Sequence, residues 1–573
     1  MASQVETEQG QDADALVAAR NRLVAQIGMG VALVALCAAF HIWRIAQTPG
    51  WDPQEGYNLD LAWNLMHGRL RLFALTQDFA QHPPLYYLQL ALAIRVFGYN
   101  VTAARALSAI YATLSCVALL LVGRRILGME RALWAALVYV VAPVMLENTR
   151  WGYSYGLLAL VGWLVLWLGW EALTAADATR GRRWLYLAAL AAGVAAYCDY
   201  VGLAWILFIT LVGLKWGWRP ALKALGIGAG ALALGLLALF VASPGVFLAD
   251  VFSTGGRAAG GNPIAQLLVF LLNYTHFLTI DAWLLFGVIG LFLVSWTPAR
   301  GYLLGAAALL GLVILKARTV GPSLHTVTPL LPLLALGAGV ALAAAWDALF
   351  AWSAEWLAPL DDWLARQRDG GRMNARLLGD SATRPADAGP IPVGHDAEGA
   401  QSRLSRALAA ALVCVVIAVP LAFTGVSDAV GLAGTLATPQ DALLAPPGDA
   451  AAVQAYILAH ARSGDLILAS PQIAWAFDAP ADASGHALDI EGADITQTVA
   501  YGGRAAAFYP ANLPRDRWAY DISLSRARYV VVDDLIRSLA APDQLPALTP
   551  ILAQAERWPV VYQRGQYTVY ERP

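Results

Sequence analysis

Residues 51–98 read WDPQEGYNLDLAWNLMHGRLRLFALTQDFAQHPPLYYLQLALAIRVFG, and they stand between two apolar runs, 23–46 and 105–123. A transmembrane helix needs about 20 mostly apolar residues, because the hydrocarbon core is about 30 Å thick. Both flanking runs fit a crossing. The quoted stretch does not, because charges and prolines interrupt it. It therefore reads as a structured loop on one face of a membrane. Glu55 to Met66 has the pattern of an amphipathic helix lying on that face. The run from His82 starts a second helix, whose early prolines sit where a missing N–H is harmless. That helix is short for a crossing, and 105–123 must run back inward, so its place is the interface.

Working outward, further apolar spans are expected near 132–146, 154–173, 184–198, 201–214, 224–243, 279–296, 302–315, 328–347 and 407–424. With the first two these make about eleven. Composition agrees. Hydrophobic residues are 58% of the chain and charged residues 14%, against about 25% charged in soluble proteins. A net charge of −2 supplies no basic field, which argues against a nucleic-acid partner. Cys37, Cys116, Cys198 and Cys414 form no C-x-x-C pair and lie in or beside apolar runs, so they read as small buried hydrophobes.

Arginine and lysine set the orientation. Arg124, Arg125 and Arg131, then Arg180, Arg182 and Arg183, then Lys215, Arg219 and Lys223 all fall on one side if the N-terminus is cytoplasmic. The polar tail 1–22, with Arg20 and Arg22 before the first span, reads as leading an uncleaved signal anchor. The core is then 23–347 with external loop 48–104, followed by a cytoplasmic, partly disordered loop 348–406 and a last span 407–424. From about 445 to 573 the pattern changes. A helix over 449–463 and strands at 465–470, 527–534 and 565–571 predict a small α/β domain on the outer face. The expected fold class is an all-α polytopic membrane protein of about 11 transmembrane helices with this extracytoplasmic α/β domain.

The loop also carries motifs. Asp52 and Glu55 precede Tyr57; His82-Pro83-Pro84-Leu85-Tyr86-Tyr87 follows; Arg105 opens the next span; Arg150 and Tyr155 lie in a second short loop. In these features the chain resembles the GT-C superfamily of membrane glycosyltransferases, in particular bacterial protein-mannosyltransferases and aminoarabinose transferases. The likeness is specific over 50–155 and looser to about 350. Two departures stand out. Pro53 and Gln54 separate the acidic pair that the family usually keeps adjacent. Lys316, Arg318 and His325 stand where the family often has Arg-Tyr.

The resemblance implies a GT-C fold, a multi-pass inner (cell) membrane location, and transfer of a sugar from a polyprenyl-phosphate donor to a lipid, glycan or protein acceptor hydroxyl at the outer face. Asp52 or Glu55 would be the general base of an inverting reaction, since a carboxylate in reach can take the acceptor's proton. Tyr57, His82, Arg105, Arg150, Tyr155, Lys316, Arg318 and His325 would contact the donor, the cations facing its phosphate. A divalent metal ion would be a possible cofactor. The residues also allow plainer roles: Asp52 capping a helix, Arg105 anchoring at the interface, Tyr86 and Tyr87 as interfacial aromatics. A glycolipid transporter or flippase, and an inactive glycolipid-binding relative, are the competing functions.

Overall fold

The computed structural model describes residues 2–67, 83–242, 283–294, 298–316, 327–379, 444–478, 491–495, 524–541 and 545–573, with further helical positions within 244–248 and 408–430. The first helix, α1, spans Ala2–Ile42 and so takes in most of the expected polar tail. Helix α2 (Pro53–Met66) starts where the local chemistry dictates. Asp52 is its N-cap, Pro53 follows, and Glu55 completes a capping box. Helix α3 (Leu85–Phe97) is the second loop helix.

Helix α4 (Val101–Leu127) is the hub. Asn100 caps its start, accepting from the Ala103 amide at 3.2 Å, and Gly128, at φ +94°, ends it. It packs against α1, α3, α5 (Met129–Val141) and α7 (Ser154–Thr174). Between α5 and α7 lies α6 (Pro143–Arg150), bent 65° from α5. The single span expected over 132–146 is therefore broken. Pro143 has no N–H for the ladder and disfavours a helical residue before it.

Helices α8 (Ala178–Cys198), α9 (Leu203–Gly213) and α10 (Trp218–Ala242) pack against one another, and the first two also pack on α7. Then come α11 (Trp283–Leu293), α12 (Pro298–Lys316) and α13 (Leu331–Gly379). A methyl on Gly290 would overlap the Gly337 carbonyl, so α11 and α13 touch backbone to backbone. Close approach of this kind is how helices associate where water supplies no driving force. Helix α13 continues past 347, so the start of the expected 348–406 loop is helical.

This is a multi-pass membrane protein. Among the described residues five helices are long and apolar enough to cross a bilayer, or six if α5 and α6 together form one span. Eleven is not reached among them. Helix α11, for instance, rises only about 17 Å at 1.5 Å per residue.

The C-terminal part holds α14 (Pro447–His460), β1 (Leu466–Ala469), α15 (Pro471–Ala474), β2 (Glu491–Asp494), β3 (Ala527–Val532), α16 (Asp534–Leu539), α17 (Leu548–Ala555), β4 (Val560–Arg564) and β5 (Tyr567–Glu571). The sheet order is β2-β1-β3-β5-β4. Strands β2, β1 and β3 are parallel, while β5 is antiparallel to both β3 and β4. Strands β1, β3 and β5 lie where the sequence places them; β2 and β4 are additions.

Candidate functional site

The first loop folds around Glu55. Its carboxylate is fully buried and pairs with the equally buried Arg105. Arg105 donates from Nε to Oε1 at 2.8 Å and from Nη2 to Oε2 at 2.6 Å. The Gly152 amide donates to Oε1 at 2.9 Å, and the Asp52 amide to Oε2 at 3.2 Å. Arg105 gives its other N–H groups to the carbonyls of Ile45, Pro49 and Gly50. All five guanidinium donors are thus matched by protein acceptors.

Arg150 works in parallel, donating to the carbonyls of Phe40, Trp43 and Thr48. The first two belong to the end of α1 and the residue after it, where helix carbonyls lack partners of their own. Two buried arginines therefore hold the 40–50 turn. More ties fix the second loop. Asn58 donates to the Gly152 carbonyl at 2.8 Å, and Ser108 to the Trp151 carbonyl at 2.7 Å.

Asp52 is only half-buried. Its Oδ1 accepts from the Gln54 amide at 2.7 Å, which is the cap of α2. Tyr153 lies beside it. Burial raises the pKa of that phenol well above its ordinary 10.0, and the charges of Asp52 and Glu55 raise it further. Tyr153 is therefore a neutral hydroxyl next to the more accessible carboxylate.

The C-terminal part closes over the same loop. Trp51 and Ala445 exchange backbone hydrogen bonds at 2.9 and 3.0 Å, one residue before Asp52. Gln472 donates to the Trp51 carbonyl at 3.4 Å, and Tyr99 to the Trp475 carbonyl at 3.0 Å. A methyl on Gly56 would run into the Pro471 carbonyl, so α2 lies directly against α15.

Three comparisons bear on this arrangement. A family model described as dolichyl-phosphate-mannose-protein mannosyltransferase matches residues 81–247. No curated protein sequence matches the chain. Among solved structures, ArnT from Cupriavidus metallidurans in the apo state aligns at TM-score 0.54 and 17% identity, over 96% of this chain and 98% of that one. ArnT bound to undecaprenyl phosphate aligns at 0.51 with the same identity and coverage. The apo Archaeoglobus fulgidus oligosaccharyltransferase aligns at 0.51 and 12% identity, over 91% of this chain and 72% of that one.

The chain has the GT-C membrane glycosyltransferase fold. Asp52 and Glu55 precede the segment that the family model matches. Of the residues expected at its site, Asp52, Glu55, Arg105 and Arg150 come together. Tyr155 is buried with its ring edge-on to Tyr153, 6.3 Å between centroids. Tyr57 lies on the α2 face toward α15, beside Asp60 and Trp475. Lys316 is the last residue of α12. His82, Arg318 and His325 lie outside the described residues, as does Cys414.

Sequence reading missed Asn58, Ser108, Gly152 and Tyr153. Only Tyr153, an aromatic in the short second loop that also holds Arg150 and Tyr155, carried a local signal. Among the described residues no three His, Cys, Asp or Glu side chains come together to hold a metal ion.

Proposed function

We propose that the chain transfers a sugar from a polyprenyl-phosphate donor to an acceptor hydroxyl at the outer membrane face, with Asp52 as general base. The observation that carries this reading is the unequal fate of the two loop carboxylates. Glu55 accepts four hydrogen bonds and is sealed in an ion pair. Both of its oxygens are occupied by the fold. Asp52 sits one helical turn earlier, half-exposed, on backbone that Glu55 holds in place.

In the proposed reaction the acceptor O–H loses its proton to the Asp52 carboxylate as its oxygen attacks the anomeric carbon. The bond from that carbon to the phosphate oxygen breaks, and its electron pair leaves with the phosphate. Attack opposite the leaving group inverts the anomeric centre. Removing the proton in the transition state contributes about 10²–10⁴ in rate.

Arg105 and Arg150 are assigned to holding the loop, because backbone carbonyls and Glu55 take up their guanidinium groups. The donor phosphate is assigned to Lys316, Arg318 and His325, with preorganised positive charge stabilising the leaving group. The fold similarity to ArnT bound to undecaprenyl phosphate and the family-model match support a lipid-linked donor.

The test uses the full chain in nanodiscs with a panel of radiolabelled polyprenyl-phosphate sugars. One donor should lose its label to an acceptor and release free polyprenyl phosphate, and Asp52→Asn should reduce this to background. Correctly folded protein that turns over no donor, or moves a donor lipid across the bilayer intact, would overturn the reading.

A further inference from the structure

A second run of charge stands at the far end of α4, at Arg124 and Arg125. Arg105 lies near the start of this helix and Arg124 near its end, separated by about 28 Å at 1.5 Å per residue. That is close to the thickness of the hydrocarbon core, about 30 Å. Arg124 therefore marks the membrane face opposite Asp52 and Glu55.

Two apolar grooves meet at Arg124. One, of about 760 Å³, runs between α4 and α7 and is lined by Leu121, Leu160 and Trp167. The other, of about 470 Å³, runs between α4 and α1 past Val31 and Val34. Leu121 and Arg124 belong to both. Each volume falls within the range of small-molecule sites, about 300–1,000 Å³.

The charges at this end are unequal. Arg125 is neutralised by Glu171, with Nε 2.7 Å from Oε1. Arg124 is exposed, and among the described residues no carboxylate pairs with it. Among the described residues, a cation with no carboxylate partner thus stands where two apolar grooves converge. Basic pockets between transmembrane helices of this kind bind anionic lipid headgroups.

We propose that this is a binding site for an anionic phospholipid with two acyl chains. The phosphate would face Arg124, with one chain in each groove on either side of Leu121. A polyprenyl phosphate has one chain and would fill only one groove, which favours the two-chain lipid.

The test is native mass spectrometry of the full chain extracted in detergent, titrated with phosphatidylglycerol or with phosphatidylcholine of the same acyl chains. One phosphatidylglycerol should be retained about fivefold more strongly than phosphatidylcholine, whose choline cation cancels the phosphate's charge beside Arg124. Arg124→Gln, a change at an exposed position, should abolish that preference. Gly30→Trp should lower phosphatidylglycerol retention to a similar degree by filling the second groove. A side chain at residue 30 first meets Leu120 at an ordinary 3.5 Å. Equal retention of the two lipids, or phosphatidylglycerol held undiminished by Arg124→Gln, would overturn the proposal. So would its displacement by undecaprenyl phosphate.

Discussion

At the residue scale, Asp52 and Glu55 share a capping box yet call for opposite tests. Asp52→Asn keeps the cap, because Asn and Asp are equivalent N-caps. It should cut the transfer rate by about 10²–10⁴ with no change in thermal unfolding. Glu55→Gln leaves Arg105 buried with an uncompensated charge. Breaking a buried pair from one side costs about 3–5 kcal/mol, so this variant should unfold at lower temperature whatever its rate. Asp533 supplies a pH test. It is fully buried at the start of α16, where its Oδ1 accepts from the Ile536 amide at 2.9 Å. Burial raises its pKa from the ordinary 3.8. The folded chain then binds this proton more tightly than the unfolded chain. Its contribution is complete below about pH 4 and is lost as pH rises through the raised value. Asp533→Asn keeps the cap and should remove that part of the decline, measured as unfolding temperature against pH.

At the scale of elements, α2 is held between the membrane core and the C-terminal part. Gly56 allows this contact, since any side chain would meet Pro471. Overpacking costs about 1–3 kcal/mol, and here it should appear as separation of α2 from α15. Gly56→Val should expose the chain around residue 445 to protease and lower transfer, while membrane insertion is unchanged. The start of α2 was legible in the sequence because Asp52-Pro53 and Glu55 are local signals. The break between α5 and α6 was missed although Pro143 is in plain view. An apolar run reads as one span from hydropathy alone, and the proline decides that the helix bends within it.

At the scale of the molecule, the first loop and the C-terminal part meet beside the candidate base. Trp51 pairs with Ala445, and Gln472 reaches the Trp51 carbonyl across 421 residues of sequence. A chain ending after residue 440 should therefore insert normally but lose most of its transfer activity, read as the single-turnover rate in nanodiscs. Unchanged transfer would show that the C-terminal part does not position Asp52.

Composition and local pattern were enough for the membrane class, the long first loop with its acidic pair, and the strands β1, β3 and β5. Each of these is written in composition or in short-range periodicity, which a contiguous stretch carries whole. Only the tertiary structure separated Glu55 from Asp52. The partner that seals Glu55 is Arg105, 50 residues away, and Gly152 adds a donor from 97 residues away. Which carboxylate is buried depends on how α2, α4 and the second loop pack. No local pattern encodes that, because both residues present the same chemistry until a neighbour removes one of them from water.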